Sequence, residues 1–201
     1  MEKVDRNVYS VMVMSAKREK LIETALELFA KNGFHATGID TILAHAGVAK
    51  KTLYTHFRTK EELILAVLKQ HDGKFRNYFM KTVESLAELP EERLLAVFDV
   101  AEAWFAQNNF YGCMFINAVG EYSEEGTAIR EVCKEFKRLM TTYMKGLAEQ
   151  AGIKQAEELA NELALLLEGS IVTAQVSEQR EKAAKTAKRV AKILIDEAKE
   201  K

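Results

Sequence analysis

A chain of 201 residues, 48% of them hydrophobic, with a single proline and ten glycines, is long enough to bury one or two cores and is neither disordered nor fibrous. Its formal net charge of −1 would alone argue against a nucleic-acid partner, but residues 1–60 carry 10 Lys and Arg against 6 Asp and Glu (net +4), whereas residues 61–201 carry 19 against 24 (net −5). A basic end on an acidic body suits a DNA-docking domain attached to a separate sensing domain.

The opening residues hold a short apolar patch, Val8 to Met14, near the acidic Asp5. The patch is too brief for a signal sequence or a membrane span. Residues 1–15 are expected to be an N-terminal extension, either upstream of the true translation start or a mobile arm. A first helix is predicted over about Ala16 to Asn32, with Leu21, Ile22, Ala25, Leu28 and Phe29 on one face and Asn32-Gly33 as its stop. The next stretch, Thr37 to Leu63, reads TGIDTILAHAGVAKKTLYTHFRTKEEL. Thr37 with Asp40 three residues on predicts an N-cap, and Ile39, Ile42, Leu43 and Ala46 then form an apolar face at helical spacing. Gly47 ends that helix, because glycine takes the left-handed conformation without Cβ strain. In the helix that follows, Leu53 and Phe57 point inward at i, i+4, leaving Lys50, Lys51, Thr52, Tyr54, Thr55 and His56 outward. All six can donate hydrogen bonds and none is acidic. Two short helices about a tight glycine turn make a helix-turn-helix, which sets one helix in the DNA major groove.

The run Gly47-Val48-x-Lys50-x-Thr52-Leu53-Tyr54-x-His56-Phe57-x-Thr59-Lys60-Glu61-x-Leu63, preceded by Gly33-Phe34 and Thr37, resembles the DNA-binding region of the TetR family of bacterial transcriptional regulators. The resemblance covers about Ala16 to Leu68. Two positions depart from the commonest pattern: Ala49 stands where a Ser or Thr often opens the recognition helix, and Leu43 stands where a small Ala is frequent. Lys50, Lys51 and Thr52, at a helix N-terminus, have the chemistry for base edges and phosphates. The resemblance implies backbone contacts from Tyr54, His56 and Lys60, and Thr37 at the start of the preceding helix is a further candidate. The structural alternatives are a partly buried, backbone-bonded histidine at position 56, a core-packed ring at position 54, and plain solvated charge at Lys17 and Arg18.

Beyond the head, a fourth helix opens at Thr59, with Glu61 and Glu62 suited to its first turn, and continues to Phe79; Asp72-Gly73 is expected to bend it. Further helices are predicted over about Glu91 to Gln107, Cys113 to Tyr122, Glu125 to Gln150, Gln155 to Ser177 and Gln179 to Glu200. No stretch alternates like a strand and no repeat is evident, so the fold class is all-α: a helix-turn-helix domain over 16–62 and a helical ligand-binding and dimerisation domain over 63–201. Cys113 and Cys133 lack metal-ligand spacing, which leaves no metal site or disulfide framework and makes the cytoplasm the default. No cofactor is expected.

The body concentrates aromatics and methionines in its middle helices, a composition that suits an apolar small-molecule pocket about as well as a plain core. Trp104, Phe105, Phe115, Tyr143 and Met144 are the candidate walls, with Asn117 and Glu168 as candidates to orient a polar group. One head reads too little DNA to be specific, so a dimer is expected, with heads about one helical turn, ~34–36 Å, or a small multiple apart. Two apolar stripes, Leu159, Leu163, Leu166, Leu167, Ile171 and Ala174, then Ala183, Ala187, Val190, Ile193 and Leu194, are candidate interfaces, and the resemblance implies a homodimer through about 155–200. The alternative is that the protomer's own core consumes them. Together these features predict a DNA-binding transcriptional regulator, a repressor released from a double-stranded operator by a small-molecule effector, with no membrane partner. An enzyme is disfavoured because no triad or metal cluster has the right spacing. A helical interaction protein of the same fold without specific DNA binding is the more serious rival.

Overall fold

In the computed structural model, which describes the backbone of residues 6–200 and the side chains of residues 14–200, the described residues form nine helices and no strand, about 80% of the chain. The helices are α1 (Arg6–Asn32), α2 (Ile39–Ala46), α3 (Lys50–His56), α4 (Lys60–Leu86), α5 (Pro90–Phe105), α6 (Met114–Glu121), α7 (Ala128–Gln150), α8 (Ala156–Val176) and α9 (Arg180–Glu200). The all-α expectation therefore holds. The first helix begins ten residues before the predicted start, because nothing from Arg6 to Asn32 is a proline or glycine that would break it. The N-terminal extension is thus helical from Arg6, and residues 1–5 of it lie outside the described residues.

Helix boundaries follow local chemistry. Gly33 (φ +85) and Gly47 (φ +60) both take the left-handed conformation at helix ends, and the Gly47 N–H returns to the Leu43 carbonyl as a C-cap. At the start of α4 the Thr59 Oγ1 accepts from the Glu62 N–H at 3.2 Å while the Glu62 carboxylate accepts from the Arg58 N–H at 2.7 Å. This is a capping box displaced by one residue on the return arm. Pro90 opens α5 at its first turn, where a missing N–H costs nothing. α4 runs helically through Asp72 and Gly73, and Asp72 pairs with Arg76 one turn on.

The chain divides into two compact units whose borders differ from the predicted 62/63 boundary. Among the described residues, the first comprises residues 6–71 together with Asn117–Val132; the second comprises Asp72–Ile116 and residues 133–200. The core of the first unit is built from Leu21, Ile22, Ala25 and Phe29 of α1, Ile42 and Ala46 of α2, Leu53 of α3 and Leu63, Ile64, Val67 and Leu68 of α4. Phe34 is fully enclosed and stacks on Phe29 at 5.0 Å. Each of the leucine, isoleucine, valine and phenylalanine side chains contributes roughly 1.5–3 kcal/mol on burial, which is what fixes the two short helices α2 and α3, of 8 and 7 residues, that could not persist alone.

The second unit packs α9 against α5 and α8. Ala184, Ala187 and Ala191 are buried along α9, small enough to let the helix axes approach closely. A seam of ion pairs flanks them: Lys188 with Asp99 at 2.5 Å, Lys185 with Glu102 at 3.2 Å and Lys199 with Glu91 at 2.6 Å. The expected interface stripe on α8 needs correction here. Leu159, Leu163, Leu167, Ile171 and Ala174 are buried inside the protomer, because they share the i, i+4 face that α5 and α9 cover. The apolar residues left outward lie on another face: Leu165 (76% exposed), Val176 (83%), Ile193 (56%) and Val172 (45%). A groove of about 710 Å³ between α8 and α9 lies in this unit, lined by Leu165, Leu166, Gly169, Ala183, Thr186 and Val190 among others. Among the described residues no helix is long and apolar enough to cross a membrane.

Candidate nucleic-acid interface

Recognition would fall to α3, and its inner side explains its orientation. Leu53 is fully buried and Phe57 is 3% exposed, so the helix is pinned along one edge and turns the opposite edge to solvent. Lys50, Lys51, Tyr54 and Thr55 are exposed, and Thr52 and His56 are half-buried. No acidic residue lies in α3. Its N-cap is Ala49, which makes no side-chain cap hydrogen bond, as expected for alanine at that position; the first N–H groups of the helix are left for an external acceptor.

The individual groups are differently engaged. Lys50 Nζ reaches Asp40 at 3.2 Å, but both side chains are well exposed, so the pair holds its geometry weakly and a phosphate can compete for the ammonium. Thr55 Oγ1 donates back to the Lys51 carbonyl at 2.9 Å, which leaves its methyl and oxygen lone pair for an incoming group. Tyr54 is 48% exposed, so its ring is not a core ring. Lys60, at the start of α4, donates to the His35 carbonyl at 3.4 Å. That bond draws the ammonium onto the connection between α1 and α2.

His56 is half-buried. Its Nε2 is buried without a hydrogen-bond partner among the described residues, and burial, then the neighbouring charges of Arg18 and Lys17, hold its pKa below the ordinary imidazole value. Arg18 itself lies over the Phe57 ring at 5.3 Å, a cation–π contact that attaches α1 to the C-terminal edge of α3. Since His56 titrates lower in the folded chain than unfolded, its contribution to stability is complete above pH ~6.5. It is lost as the pH falls from there through the depressed value. A histidine titration followed by NMR should show His56 as a late-protonating ring, with H56N removing part of the acid sensitivity of unfolding.

Thr37 is a correction. It is 1% exposed, and its hydroxyl lies 2.7 Å from the Gly33 carbonyl and 3.3 Å from that of Leu28. The N-cap of α2 is Gly38, with no side-chain cap bond. Thr37 thus ties the end of α1 from inside the head and offers no group to DNA. The sequence showed a threonine before a helix; it could not show that the preceding turn brings the Leu28 and Gly33 carbonyls to the hydroxyl.

The candidate pocket residues separate. Trp104 and Phe105 join a ring network with Phe75 and Phe110, in which Trp104 sits 5.2 Å from Phe75 and 5.1 Å from Phe110. Phe115 stacks on Phe136 at 3.8 Å, and Phe136 meets Phe75. Met144 is buried. Tyr143 faces Glu84 and Arg93; its buried hydroxyl has no partner among the described residues and is pushed up to about 12, chiefly by burial. Glu168 pairs with Lys137 at 3.0 Å, and the same Lys137 lies 3.8 Å from Cys113 Sγ. That lysine stands 24 residues from Cys113 in the chain, so no local pattern announced it. Asn117 belongs to the first unit, unlike the other six. Among the described residues no cluster of His, Cys, Asp and Glu could hold a metal ion.

The family model described as bacterial regulatory proteins, tetR family, matches residues 21–67, and one described as tetracyclin repressor-like, C-terminal domain, matches residues 90–190. The HTH-type transcriptional regulator YhgD of Bacillus subtilis (strain 168) is 34% identical over 145 residues, 70% of this chain and 72% of that protein. YerO of the same organism, also an HTH-type transcriptional regulator, is 38% identical over 82 residues, 41% of this chain and 28% of its own length. The chain spans less than half the length of YerO and of two further curated relatives that it matches. Among solved structures, SCO4454 of Streptomyces coelicolor superposes with a TM-score of 0.84 at 26% identity, covering 92% of this chain and 96% of that one.

Proposed function

The chain belongs to the TetR family of bacterial regulatory proteins, DNA-binding transcriptional regulators rather than enzymes, and we propose that it is a cytoplasmic repressor that binds an operator as a homodimer and leaves it when a small molecule binds. The observation that carries the DNA half of this proposal is the outward edge of α3: two exposed lysines, a half-exposed tyrosine and two threonines, with no acid, on a helix whose inner edge is fully buried. We assign base readout to Lys50, Lys51 and Thr52, and backbone contacts to Tyr54, Thr55, His56 and Lys60.

The dimer is assigned to α8 and α9, through the outward face that carries Leu165, Val176 and Ile193 beside the 710 Å³ groove. A monomer has no use for that much exposed aliphatic surface, and a two-fold partner would bury it. For the effector, the Trp104, Phe105 and Phe115 rings with Met144 offer an apolar wall, and the Lys137–Glu168 pair offers charges of both signs. Trp104 packs on Phe105 and Phe115 stacks on Phe136, so an effector enters by parting packed rings, and its differential affinity for the parted state is what weakens operator binding.

The test is binding to duplex DNA from upstream of the chain's own gene, followed by gel shift across salt concentrations. Wild type is expected to show a steep salt dependence. Lys60→Ala should weaken binding to all sequences alike and reduce the slope of log K against log salt by about 0.9, the value for a single neutralised phosphate. No shift at low salt would favour a helical interaction protein of the same fold, and an unchanged slope would remove Lys60 from the interface.

A further inference from the structure

The connection between α1 and α2 is held by a residue more than eighty positions away. Glu121 is the last residue of α6, where a carboxylate opposes the negative end of the helix dipole. It is not compensated from its own helix, since α6 has no basic residue in its last turn. Instead Oε1 accepts the Phe34 N–H at 2.8 Å and Oε2 accepts the His35 N–H at 2.5 Å. The left-handed Gly33 turns these two successive N–H groups to one side, a backbone nest of the kind that binds anions. A Cβ at Gly33 would stand 2.9 Å from Oε1, so the carboxylate fills the space that a side chain would need. Around it, the His35 ring stacks on Tyr122 at 4.7 Å, Phe34 meets the same ring edge-on at 6.3 Å, and His35 Nδ1 is 3.6 Å from Oε2. Lys60 donates to the His35 carbonyl, so the turn is gripped on both its N–H and its C=O sides.

We propose that Glu121 is a positioning residue for DNA recognition: its carboxylate clamps the α1–α2 turn through the Phe34 and His35 N–H groups, fixing the start of α2 and joining the Asn117–Val132 segment to the head. α6 spans the border between the units, with Met114–Ile116 in the second and Asn117–Glu121 in the first, and within the first unit its last residue is tied to the turn by two charge-assisted hydrogen bonds. The consequence for operator binding rests on the repressor function proposed above; the clamp itself does not.

Glu121→Gln tests it, because the amide keeps the shape but turns an N–H₂ donor toward one of the two N–H donors. Amide exchange of the free protein, read by NMR, is expected to accelerate roughly 10-fold or more at Phe34 and His35 in this variant, and to rise through Asn117–Glu121, while the melting temperature of the whole chain moves little. Gly33→Ala, which crowds Oε1 from the other side, should reproduce the pattern. Unchanged exchange at Phe34 and His35 in both variants would overturn the proposal, whatever DNA does. With a duplex selected by the wild-type chain from a randomised pool, DNA should slow exchange at Asn117–Glu121 in wild type and not in Glu121→Gln, as reciprocity requires. Equal slowing in both would show that the segment follows the head by another route and would also overturn it. If wild type selects no duplex even at low salt, DNA binding fails, and exchange in the free protein still decides the clamp.

Discussion

Replacing Leu165 and Ile193 together by glutamate is expected to give a folded monomer whose operator affinity is lower by about 10²–10⁴, the factor that linking two binding modules supplies. Both side chains are mostly exposed in the protomer, so their loss removes little burial and costs folding little. At a two-fold interface each new carboxylate appears twice, and like charges would have to be desolvated against each other. Sedimentation equilibrium would report the mass, and anisotropy with a labelled operator the affinity. A dimer that survives both substitutions would move the interface elsewhere. The control is Leu163→Glu on the buried side of the same helix, where a carboxylate enters the protomer core and unfolding, not dissociation, is expected.

The second large effect should come from Leu53→Ala. This side chain is fully buried at the centre of the head, and truncating a core leucine costs roughly 2–5 kcal/mol, depending on how far the site collapses. Losing that anchor frees α3, a seven-residue helix too short to persist without its packed edge. Operator binding should disappear for every sequence tested, with fast amide exchange through α2 and α3. Lys51→Ala, two residues away and exposed, should behave in the opposite manner: stability within ~0.5 kcal/mol of wild type and a changed ranking among operator sequences. A stable head in Leu53→Ala would mean that the packing of α3 does not hold the recognition surface in place.

The head was legible because its signals are local. Gly47 and the Leu53–Phe57 spacing each act within four residues, so the sequence alone locates the turn and the exposed edge of α3. What escaped was set by partners distant in the chain. Thr37 reads as a cap or a phosphate contact until the Gly33 and Leu28 carbonyls are seen to take its hydroxyl. Nothing near Glu121 in the chain points to the Phe34 and His35 N–H groups, and only the fold brings its carboxylate to them. In α8 the stripe of leucines was plain, but periodicity cannot say which element covers a face. Here α5 and α9 of the same protomer do so, and the outward set is offset from it. The aromatic body was ambiguous for the same reason: rings that would line a pocket are also rings that pack on one another.

The discontinuity of the first unit has a consequence for how the protein is made. Its recognition helix is complete in sequence once His56 has been added, yet the segment that carries Glu121 belongs to the same unit and ends at Val132. At bacterial elongation speeds of about 5–20 residues per second, the roughly sixty residues between His71 and Val132 take about 3–12 s to synthesise. For that interval the nascent head has its lysines and no clamp. A ribosome stalled between these positions should therefore display a helix-turn-helix that exchanges its α1–α2 amides freely, and release of the arrest past Val132 should close them.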